Sequence, residues 1–594
     1  MSGGKNQIVI CRTEKGQWLR FQKPLEIFSA AGPGEVIPVL EHIEKEVAAK
    51  KLYAAGFVSY EAGAAFDPAF KFRPARDFPL LWFGLFRKAE PFVLPAVKSS
   101  AGRAPAWKSS VAKEEYKVAL RKIKTFIFRG ATYQVNYSYR LRAPFRGDAL
   151  SFFLRIAGRQ NVPYAAFVGT GRFAVCSFSP ELFFSLDGKL IISRPMKGTL
   201  PRGRLLPDDL AQARRLYFSQ KDRAENVMIV DMVRNDLGRI ADRNTVKAFN
   251  LYAVEKYDTV WQMTSSVRAR TSAGLADIFR ALFPPASITG APKVQTTRII
   301  AELETTPRRI YTGCIGFLAP GRRAQFNVAI RTALVDRRLG RAEYGVGGGI
   351  VWDSADHAEY DECAVKTKVI CSPSPDFELL ETLLWTPEEN YFLPDLHLAR
   401  LKASAAYFAF PFHEKKIRAA LAALALIFSA RCPRGNKKTG PGRGRRVRLR
   451  LRRSGEFSLE DSPFEPGSSA RPKVCLAKHP VASGNVFLYH KTTHRKVYDE
   501  ARAARPGYDE VILWNEKGEA TEFCAANIIV ELGGEKLTPP VNCGLLPGTY
   551  RQWLLRKGAI REEVIKINML PQCRRIFLCN SVRKMREVRL ETGN

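Results

Sequence analysis

The sequence predicts an α+β protein of two large domains, the first with antiparallel sheets and the second with two lobes. Two observations predict the division. A chain of 594 residues is longer than one hydrophobic core usually supports, and the run Ser372-Pro373-Ser374-Pro375 interrupts both helix and sheet. A composition that is 46% hydrophobic can fill two cores. We therefore place the domains at residues 1–372 and 376–594, and the α+β class is implied by the motifs given below.

Simple features argue against several classes of protein. Met1–Arg12 is too mixed for a signal peptide. The apolar run Ala419–Phe428 is far shorter than the roughly 20 residues that cross a bilayer, and it is typical of a core helix. The eleven cysteines form no C-x-x-C pair and no Cys/His ligand spacing, which argues against a disulfide frame and structural zinc. We expect a cytoplasmic protein with no membrane partner.

The formal net charge of +36 raises the question of nucleic-acid binding. In the densest basic stretch, Val447, Leu449 and Leu451 alternate with arginines, which is typical of a half-buried strand entering a turn at Ser454-Gly455. The preceding segment, 433–444, is rich in Gly, Pro and Lys and is typical of a loop. We predict a solvated strand face and no nucleic-acid partner, and a nucleic-acid patch is the alternative.

Seven runs in the first domain carry residues suited to chemistry on a small anion. They are Ser179-Pro180-Glu181-Leu182-Phe183, Ser193-Arg194-Pro195-Met196-Lys197-Gly198-Thr199, Asp222-Arg223-Ala224-Glu225-Asn226, Ser287-Ile288-Thr289-Gly290-Ala291-Pro292-Lys293, Ala329-Ile330-Arg331-Thr332, Gly347-Gly348-Gly349-Ile350 and Glu359-Tyr360-Asp361-Glu362. In that order they resemble the chorismate-utilising family, which includes anthranilate synthase, isochorismate synthase and aminodeoxychorismate synthase component I. The resemblance covers roughly residues 56–370 and implies a large α+β fold with antiparallel sheets.

Paired carboxylates suggest a divalent metal. Glu359 and Glu362 are three apart on a predicted helix, so they share one face, with Lys366 a turn further on. Asp222 and Glu225 have the same spacing. Spacing alone favours an ordinary salt-bridged acidic face. The resemblance implies instead that Glu225 and Glu362 are metal ligands with Glu359 close by, and hard oxygen ligands suit Mg²⁺.

Chorismate is a dianion, so its carboxylates need cationic or N–H partners. Arg331 can bind a carboxylate through two N–H groups, and the missing side chains of Gly347, Gly348 and Gly349 permit close approach to the backbone. A glycine triplet alone usually marks a turn. The resemblance implies that these glycines cradle a carboxylate, and that Ser287, Tyr311 and Lys366 also contact the substrate.

Lys197 is the candidate nucleophile of the first domain, since a deprotonated lysine can form a covalent intermediate. The resemblance implies that it adds to the ring as the hydroxyl departs, and that ammonia then displaces it. The alternative is a counter-charge to the metal-site glutamates. Gln262 stands where anthranilate synthases carry a histidine linked to pyruvate elimination, and an amide cannot act as an acid or base. No glutaminase pattern is found, which implies ammonia from a separate glutamine amidotransferase subunit.

The second domain carries a different set of runs. They are Glu378-Leu379-Leu380-Glu381-Thr382-Leu383, Leu396-His397-Leu398-Ala399-Arg400-Leu401, Tyr489-His490-Lys491-Thr492-Thr493, Glu519-Ala520-Thr521-Glu522, Gly544-Leu545-Leu546-Pro547-Gly548-Thr549 and Cys579-Asn580-Ser581-Val582. They resemble the fold-type IV pyridoxal 5'-phosphate enzymes, and within them aminodeoxychorismate lyase. The resemblance implies that Lys491 bears the cofactor, that Glu522 faces its pyridine nitrogen, and that the phosphate is bound by Arg400, Gly548, Thr549 and Ser581. Taken alone, Arg400 would be a helix-surface charge and Lys491 an exposed lysine at a strand end.

Together the two resemblances imply synthesis of 4-aminobenzoate from chorismate for folate synthesis. The first domain would aminate chorismate and the second would eliminate pyruvate, with Mg²⁺ and pyridoxal 5'-phosphate as cofactors. One alternative is an anthranilate- or salicylate-type synthase fused to a pyridoxal-phosphate aminotransferase. The other is a basic nucleic-acid-binding protein with degenerate enzyme domains. A homodimer through the second domain is a further expectation.

Overall fold

The computed structural model describes residues 7–95, 105–160, 162–371, 375–431, 444–465 and 470–591. The chain divides into two compact units, Met1–Pro201 with Ala213–Ser374 (unit 1) and Arg202–Gln212 with Pro375–Asn594 (unit 2). The predicted domains, 1–372 and 376–594, differ from these units by the segment Arg202–Gln212, which no sequence feature singles out. Except for Gly444, the predicted loop 433–444 lies outside the described residues.

The described residues of unit 1 form twenty strands and, with α4, eight α-helices, besides two short 3-10 helices. The strands are β1 (Gln7–Arg12), β2 (Trp18–Gln22), β3 (Glu26–Ala30), β4 (Tyr53–Val58), β5 (Leu81–Phe86), β6 (Glu90–Pro91), β7 (Lys108–Ser109), β8 (Gln134–Pro144), β9 (Tyr164–Thr170), β10 (Phe173–Ser179), β11 (Leu182–Asp187), β12 (Leu190–Arg194), β13 (Met196–Pro201), β14 (Lys247–Lys256), β15 (Val260–Arg270), β16 (Gly290–Ala291), β17 (Cys314–Ala319), β18 (Arg323–Val328), β19 (Thr332–Asp336) and β20 (Arg341–Ile350). The helices are α1 (Pro33–Lys50), α2 (Lys113–Phe128), α3 (Ala149–Ala157), α4 (Leu206–Phe218, which has residues in both units), α5 (Gln220–Gly238), α6 (Leu275–Leu282), α7 (Lys293–Leu303) and α8 (Asp356–Cys371).

The strands of unit 1 form two sheets of ten, each described pairing being antiparallel, as predicted. One has the order β16-β8-β20-β19-β10-β9-β1-β2-β6 with β7 on β8, and the other β13-β15-β12-β11-β18-β17-β4-β5-β3 with β14 on β15. Alternating side chains fill different cores: Val9 and Phe57 lie in the core between the sheets, whereas Ile10 and Val58 lie in the outer cores. Helices cover both outer faces, so the layers run helix, sheet, sheet, helix.

Unit 2 has two sheets with separate cores, which agrees with the predicted two lobes. The strands are β21 (Leu379–Thr386), β22 (Asn390–Tyr391), β23 (Arg445–Leu451), β24 (Phe457–Pro463), β25 (Lys473–Leu476), β26 (Glu510–Trp514), β27 (Ala520–Phe523), β28 (Asn527–Leu532), β29 (Glu535–Thr538), β30 (Arg561–Glu562), β31 (Arg575–Asn580) and β32 (Lys584–Leu590), and the helices are α9 (Pro394–Phe408), α10 (Glu414–Arg431), α11 (Lys496–Ala503) and α12 (Thr549–Arg556). The first sheet has the order β22-β21-β23-β24. In the second, β27-β26-β25-β32-β31-β28 closes into a ring because β28 also pairs with β27.

Of two local predictions in unit 2, one is confirmed and one holds in part. The apolar run Ala419–Phe428 lies in α10, with Leu421 and Phe428 in a buried core, but Leu426 and Ile427 are exposed, so the helix is buried on one face only. The basic stretch forms β23, with Val447, Leu449 and Leu451 buried. Its arginines are partly neutralised, because Arg445 pairs with Asp461 and Arg450 with Glu460. Within the described ranges, no helix is long and apolar enough to span a membrane.

Candidate active sites

Unit 1 contains a cavity of about 350 Å³ that gathers most of the predicted residues of the first domain. Strand β13 contributes Lys197, α5 contributes Glu225, α8 contributes the carboxylates and Lys366, and β20 contributes the glycines. The predicted residues that line the cavity are Lys197, Glu225, Ser287, Tyr311, Arg331, Gly347, Gly348, Gly349, Glu359, Glu362 and Lys366. Residues more than 160 positions apart along the chain therefore meet at one site.

The amine of Lys197 has no hydrogen bond or ion pair with any described residue. Desolvation in the cavity lowers its pKa, although the negative charge of Glu225 opposes the shift. Gln262 contacts the two residues that follow Lys197 in β13. Its Nε2 donates to Gly198 O at 2.9 Å, and its Oε1 accepts from Thr199 Oγ1 at 3.0 Å. Lys197 is thus placed by its neighbours and is itself unpaired.

Glu181 is a site residue to which sequence reasoning gave no role. Its side chain is buried, and Ser287 Oγ donates to its Oε1 at 2.5 Å. Burial raises the pKa of Glu181 to about 7, against the hydrogen bond from Ser287 and the charge of Lys197. Glu181 belongs to the motif Ser179–Phe183, and this motif was the sequence signal that could have identified it as a site residue. Near neutral pH Glu181 can hold a proton or release one.

The predicted metal ligands face the same cavity. Burial raises the pKa values of Glu225 and Glu359, and repulsion from a neighbouring carboxylate adds to each shift. Glu362 is paired with Lys366 at 2.8 Å, and that charge lowers its pKa. Among the described residues, no three His, Cys, Asp or Glu side chains converge closely enough to hold a metal. Mg²⁺ often takes only one or two protein carboxylates, so the donor chemistry still suits it.

Arg331 brings positive charge to the cavity, and the nearby carboxylates of Asp258 and Glu181 act on it without forming an ion pair. Its guanidinium has no ion pair with a described residue, packs 5.8 Å from the Tyr257 ring, and has a pKa lowered by burial. Lys366 is more engaged, since its Nζ also donates to Gly347 O at 2.9 Å. An unpaired, desolvated arginine is a ready partner for an anionic ligand.

The three glycines lie in extended strand β20 rather than in the turn that a glycine triplet usually marks. They pair with Ser138, Tyr137 and Asn136 of β8. A Cβ on Gly347 would lie 2.2 Å from Tyr137 O, and one on Gly349 would lie 2.8 Å from Lys197 Nζ. Their missing side chains make room for the adjoining strand and for the lysine.

In unit 2, charged side chains surround Lys491. Burial and, to a smaller extent, the positive charge of Arg400 lower its pKa to about 8. Glu522 lies among the nearby charges and is 3% exposed; its two oxygens accept from Tyr498 Oη at 2.8 Å and Asn527 Nδ2 at 3.3 Å. Burial raises the pKa of Glu522 to about 8. Both groups are therefore close to changing charge near neutral pH.

The predicted phosphate-binding residues are held by neighbours that sequence reasoning did not assign. Glu381 accepts from Arg400 at both oxygens and also bonds to His397 Nδ1 at 2.6 Å. The other ring nitrogen of His397 lies 3.3 Å from Thr549 Oγ1. Gly548 precedes α12, and a Cβ there would lie 1.9 Å from Asn527 Oδ1. A helix N-terminus beside an arginine can bind a phosphate.

Ser581 is buried just after β31, whose Cys579 pairs with Asn527 of β28. That pairing places the end of β31 beside the strand that supports Glu522. Lys491, Glu522 and Arg400 are linked through their charges, and Thr549 joins Arg400 through His397 and Glu381. The unit thus offers an amine, a buried acid and an anion site, the groups that pyridoxal 5'-phosphate needs.

The model of the family described as chorismate binding enzyme matches residues 5–372, more than half of the chain. The chain belongs to the chorismate binding enzyme family. A second model, amino-transferase class IV, matches residues 378–590. The two matches cover the regions that carry the two groups of sequence motifs.

Curated members of the family match part of this chain. An aminodeoxychorismate synthase component 1 from Klebsiella aerogenes is 42% identical over 259 residues, covering 43% of this chain and 57% of that protein. One from Salmonella typhimurium is 41% identical over 270 residues, covering 45% and 59%. An anthranilate synthase component 1 from Pseudomonas aeruginosa is 34% identical over 276 residues, covering 46% and 56%. The chain thus spans a little over half the length of these relatives.

Solved structures of the family share the fold of unit 1. Anthranilate synthase component I from Streptococcus pneumoniae has a TM-score of 0.50 at 22% identity, covering 62% of this chain and 91% of that one. A 2,3-dihydroxybenzoate-specific isochorismate synthase from Bacillus anthracis has a TM-score of 0.51 at 18% identity, covering 61% and 94%. At these identities the likeness concerns the fold alone.

Proposed function

We propose that this chain converts chorismate to 4-aminobenzoate, by amination in unit 1 and loss of pyruvate in unit 2. The observation that carries the proposal is Lys197, whose unpaired amine lies in the cavity with a lowered pKa. A lysine that only balanced charge would be paired with a carboxylate. The curated relatives named aminodeoxychorismate synthase component 1 support the same reaction.

The cavity suits a dianionic ring. Arg331 can bind one carboxylate through two N–H groups, because it forms no ion pair with a described residue. Glu225 and Glu362, with Glu359 close by, would hold Mg²⁺, which when bound would neutralise the second carboxylate and the crowded glutamates. Lys366 keeps Glu362 in place through its ion pair. The protein thus fixes both ends of the ring before any bond changes.

In the first chemical step Lys197 and Glu181 act together. The Nζ lone pair of Lys197 adds to the ring carbon conjugated with the hydroxyl-bearing carbon, and the carbon–oxygen bond breaks. Glu181, protonated for part of the time near pH 7, gives its proton to the leaving oxygen, which departs as water. The proton that the new secondary amine loses restores Glu181.

In the second step ammonia adds to the carbon that lost the hydroxyl, and the bond to Lys197 Nζ breaks. One proton passes from the incoming nitrogen to the departing amine, so free Lys197 is restored. Gln262 is bonded on both sides and carries no titratable nitrogen, so it offers no acid or base for pyruvate loss here. Elimination would then need a second site.

Unit 2 would provide that second site. Lys491 would bear pyridoxal 5'-phosphate, which when bound supplies an electron sink for proton removal from an amine substrate. Glu522 would face the pyridine nitrogen, and Arg400, Thr549 and Ser581 with the amide beside Gly548 would hold the phosphate. Near neutral pH the released Lys491 amine can take up and return the proton. Glu381 holds the guanidinium of Arg400 through both of its oxygens.

Ammonia would come from a separate glutamine amidotransferase, in keeping with relatives named as a component 1. The enzyme would act in the cytoplasm on chorismate, with no nucleic-acid partner and with a homodimer formed through unit 2.

The test is incubation of the full chain with chorismate, ammonium chloride, Mg²⁺ and pyridoxal 5'-phosphate, followed by mass-spectrometric product identification. The expected products are 4-aminobenzoate and pyruvate in equal amounts. Anthranilate or salicylate would instead favour a fused synthase and aminotransferase. If no product forms but the chain binds DNA with a steep salt dependence, the nucleic-acid alternative is favoured.

A further inference from the structure

Tyr257 is a buried residue that contacts the wall of the unit 1 cavity. It lies in the turn between β14 and β15, is 7% exposed, and packs with Met196 and Val260. Its Oη donates to Glu255 Oε2 at 2.9 Å and lies 3.4 Å from Pro180 O. Met196 and Pro180 line the cavity, so Tyr257 supports the wall from its protein side.

The ring of Tyr257 also faces Arg331. The guanidinium carbon of Arg331 lies 5.8 Å from the centre of the ring, within the range at which a cation and an aromatic ring attract each other. The main chain of Arg331 is left-handed, with φ of 51°, and Phe178 N donates to its carbonyl oxygen at 3.0 Å. The guanidinium itself has no hydrogen bond or ion pair with a described residue. The ring is therefore a contact that limits the direction of this long side chain.

An aromatic ring can hold an arginine without occupying its N–H groups. The charges of Asp258 and Glu181 both act on Arg331, and an ion pair with either would use the N–H groups that a substrate carboxylate needs. The face of a ring attracts the flat guanidinium and leaves the edge that carries the N–H groups open to a ligand. Such a contact suits an arginine that must be fixed in place and still be unpaired when the ligand arrives.

We propose that Tyr257 is a positioning residue, whose ring holds the guanidinium of Arg331 in the direction that receives a carboxylate of chorismate. The inference rests on the proposed function of unit 1. Tyr257 acts through Arg331 and does not itself contact the substrate. Glu255 keeps the ring in place, because it accepts from Tyr257 and is itself held by Thr264 Oγ1 at 3.1 Å and by Arg194 Nη1 at 3.4 Å.

The experiment measures chorismate binding by calorimetry in the full chain carrying Lys197→Ala, which cannot form the covalent adduct. Adding Tyr257→Leu should raise the Kd for chorismate about tenfold, because the ring is lost. Tyr257→Phe keeps the ring, so its Kd should stay within about threefold of the starting protein. In the matched control, Phe173→Leu, Phe173 is also 7% exposed and its ring lies 4.5 Å from the Arg172 guanidinium, but Arg172 is already paired with Asp336. That control should leave the Kd unchanged.

A double-mutant cycle separates the positioning of Arg331 from general packing. Arg331→Ala should itself weaken binding, and in that background Tyr257→Leu should change the Kd by less than about twofold. A further loss of about tenfold there would overturn the inference, as would an unchanged Kd for Tyr257→Leu alone. Tyr257→Phe binding as weakly as Tyr257→Leu would overturn it too, because the hydroxyl and not the ring would then be needed.

Failure to fold and failure of the proposed function are recognised separately. Tyr257→Met, which fills the space of the ring better than alanine would, gives the same comparison if Tyr257→Leu does not fold. A parent that binds chorismate but makes no aminated product would contradict the proposed function, while the Kd comparison would still decide the role of Tyr257. A parent that bound no chorismate would overturn both.

Discussion

Glu381 binds the guanidinium of Arg400 through both carboxylate oxygens, at 2.8 and 2.7 Å, in the interior of unit 2. Burial alone would raise the pKa of Glu381, but the charges of Arg400 and His397 bring it down to about 2. The carboxylate is therefore ionised near neutral pH, and it fixes the direction of Arg400.

Glu381→Gln should lower the stability of unit 2 and also lower its affinity for pyridoxal 5'-phosphate. Removing one partner of a buried ion pair usually costs about 3–5 kcal/mol of unfolding free energy, and an arginine with less restraint binds phosphate less well. Urea unfolding and cofactor titration measure the two effects. Glu389→Gln, at an exposed pair with Lys584, is the control and should stay within about 0.5 kcal/mol of the parent.

The same pair sets a pH dependence. Because the folded pKa of Glu381 lies below its unfolded value, its stabilisation is complete above the unfolded pKa of about 4.3 and fades as the pH falls toward 2. The difference in stability between parent and Glu381→Gln should therefore be largest near neutral pH and shrink below pH 4. A difference that grew on acidification would contradict the assignment of this pair.

Glu181→Gln should slow amination by about 10²–10⁴-fold, the usual effect of losing a general acid, while the lyase step on supplied aminodeoxychorismate is unchanged. Since burial raises the pKa of Glu181 to about 7, amination by the parent should decline as the pH rises above that value. The rate profile is measured with saturating chorismate and ammonium. If the variant kept the parent's rate and its decline at alkaline pH, Glu181 would not be the group that transfers the proton.

The motif resemblance predicted residues that lie together in the cavity of unit 1. It did not predict the residues that hold the site side chains in position. Lys197, Glu225, Arg331 and Glu359 are distant in sequence, yet the two antiparallel sheets bring them to one cavity. The support for Arg400 by Glu381 could not be read from spacing, because the pair joins a strand to a helix.

Some structural features could not be predicted from sequence patterns, for physical reasons. The glycine triplet was ambiguous because turns and closely packed strands both favour missing side chains. Gln134 could not be singled out, because only its surroundings show that its buried amide has no hydrogen-bond partner. Half-buried strand β23 was predictable, since its alternation specifies which side is buried. The run of α10 is apolar throughout, so it could not show that Leu426 and Ile427 would be exposed.

Glu362→Gln should raise the Mg²⁺ concentration needed for half-maximal amination, because a neutral amide is a weaker ligand for a hard cation. The change also removes the ion pair with Lys366. Asp361→Asn, an exposed change on the same helix, is the control. Identical Mg²⁺ activation curves for Glu362→Gln and the parent would show that the metal binds elsewhere or is not needed.

Lys197→Ala should lower the rate of amination by at least about 10³-fold, because the covalent route is lost. Lyase activity on supplied aminodeoxychorismate should persist. Lys189→Ala, an exposed change in the turn between β11 and β12, should behave as the parent. Mass spectrometry of the parent with chorismate and no ammonia should find the adduct on the peptide containing Lys197. If folded Lys197→Ala aminated chorismate at a near-normal rate, Lys197 would be a counter-charge and not a nucleophile.

Lys491→Ala should abolish both the visible absorbance of bound pyridoxal 5'-phosphate and the release of pyruvate, so that chorismate and ammonia yield aminodeoxychorismate alone. Burial lowers the pKa of Lys491 to about 8, so the amine reacts more readily than an ordinary lysine near neutral pH, and reconstitution of the parent should speed up as the pH rises through 8. Borohydride reduction and peptide mapping should locate the cofactor on Lys491 in both the parent and Lys197→Ala. A reduced cofactor on another lysine would overturn the assignment, and a parent that took up no cofactor would leave unit 2 without its proposed chemistry.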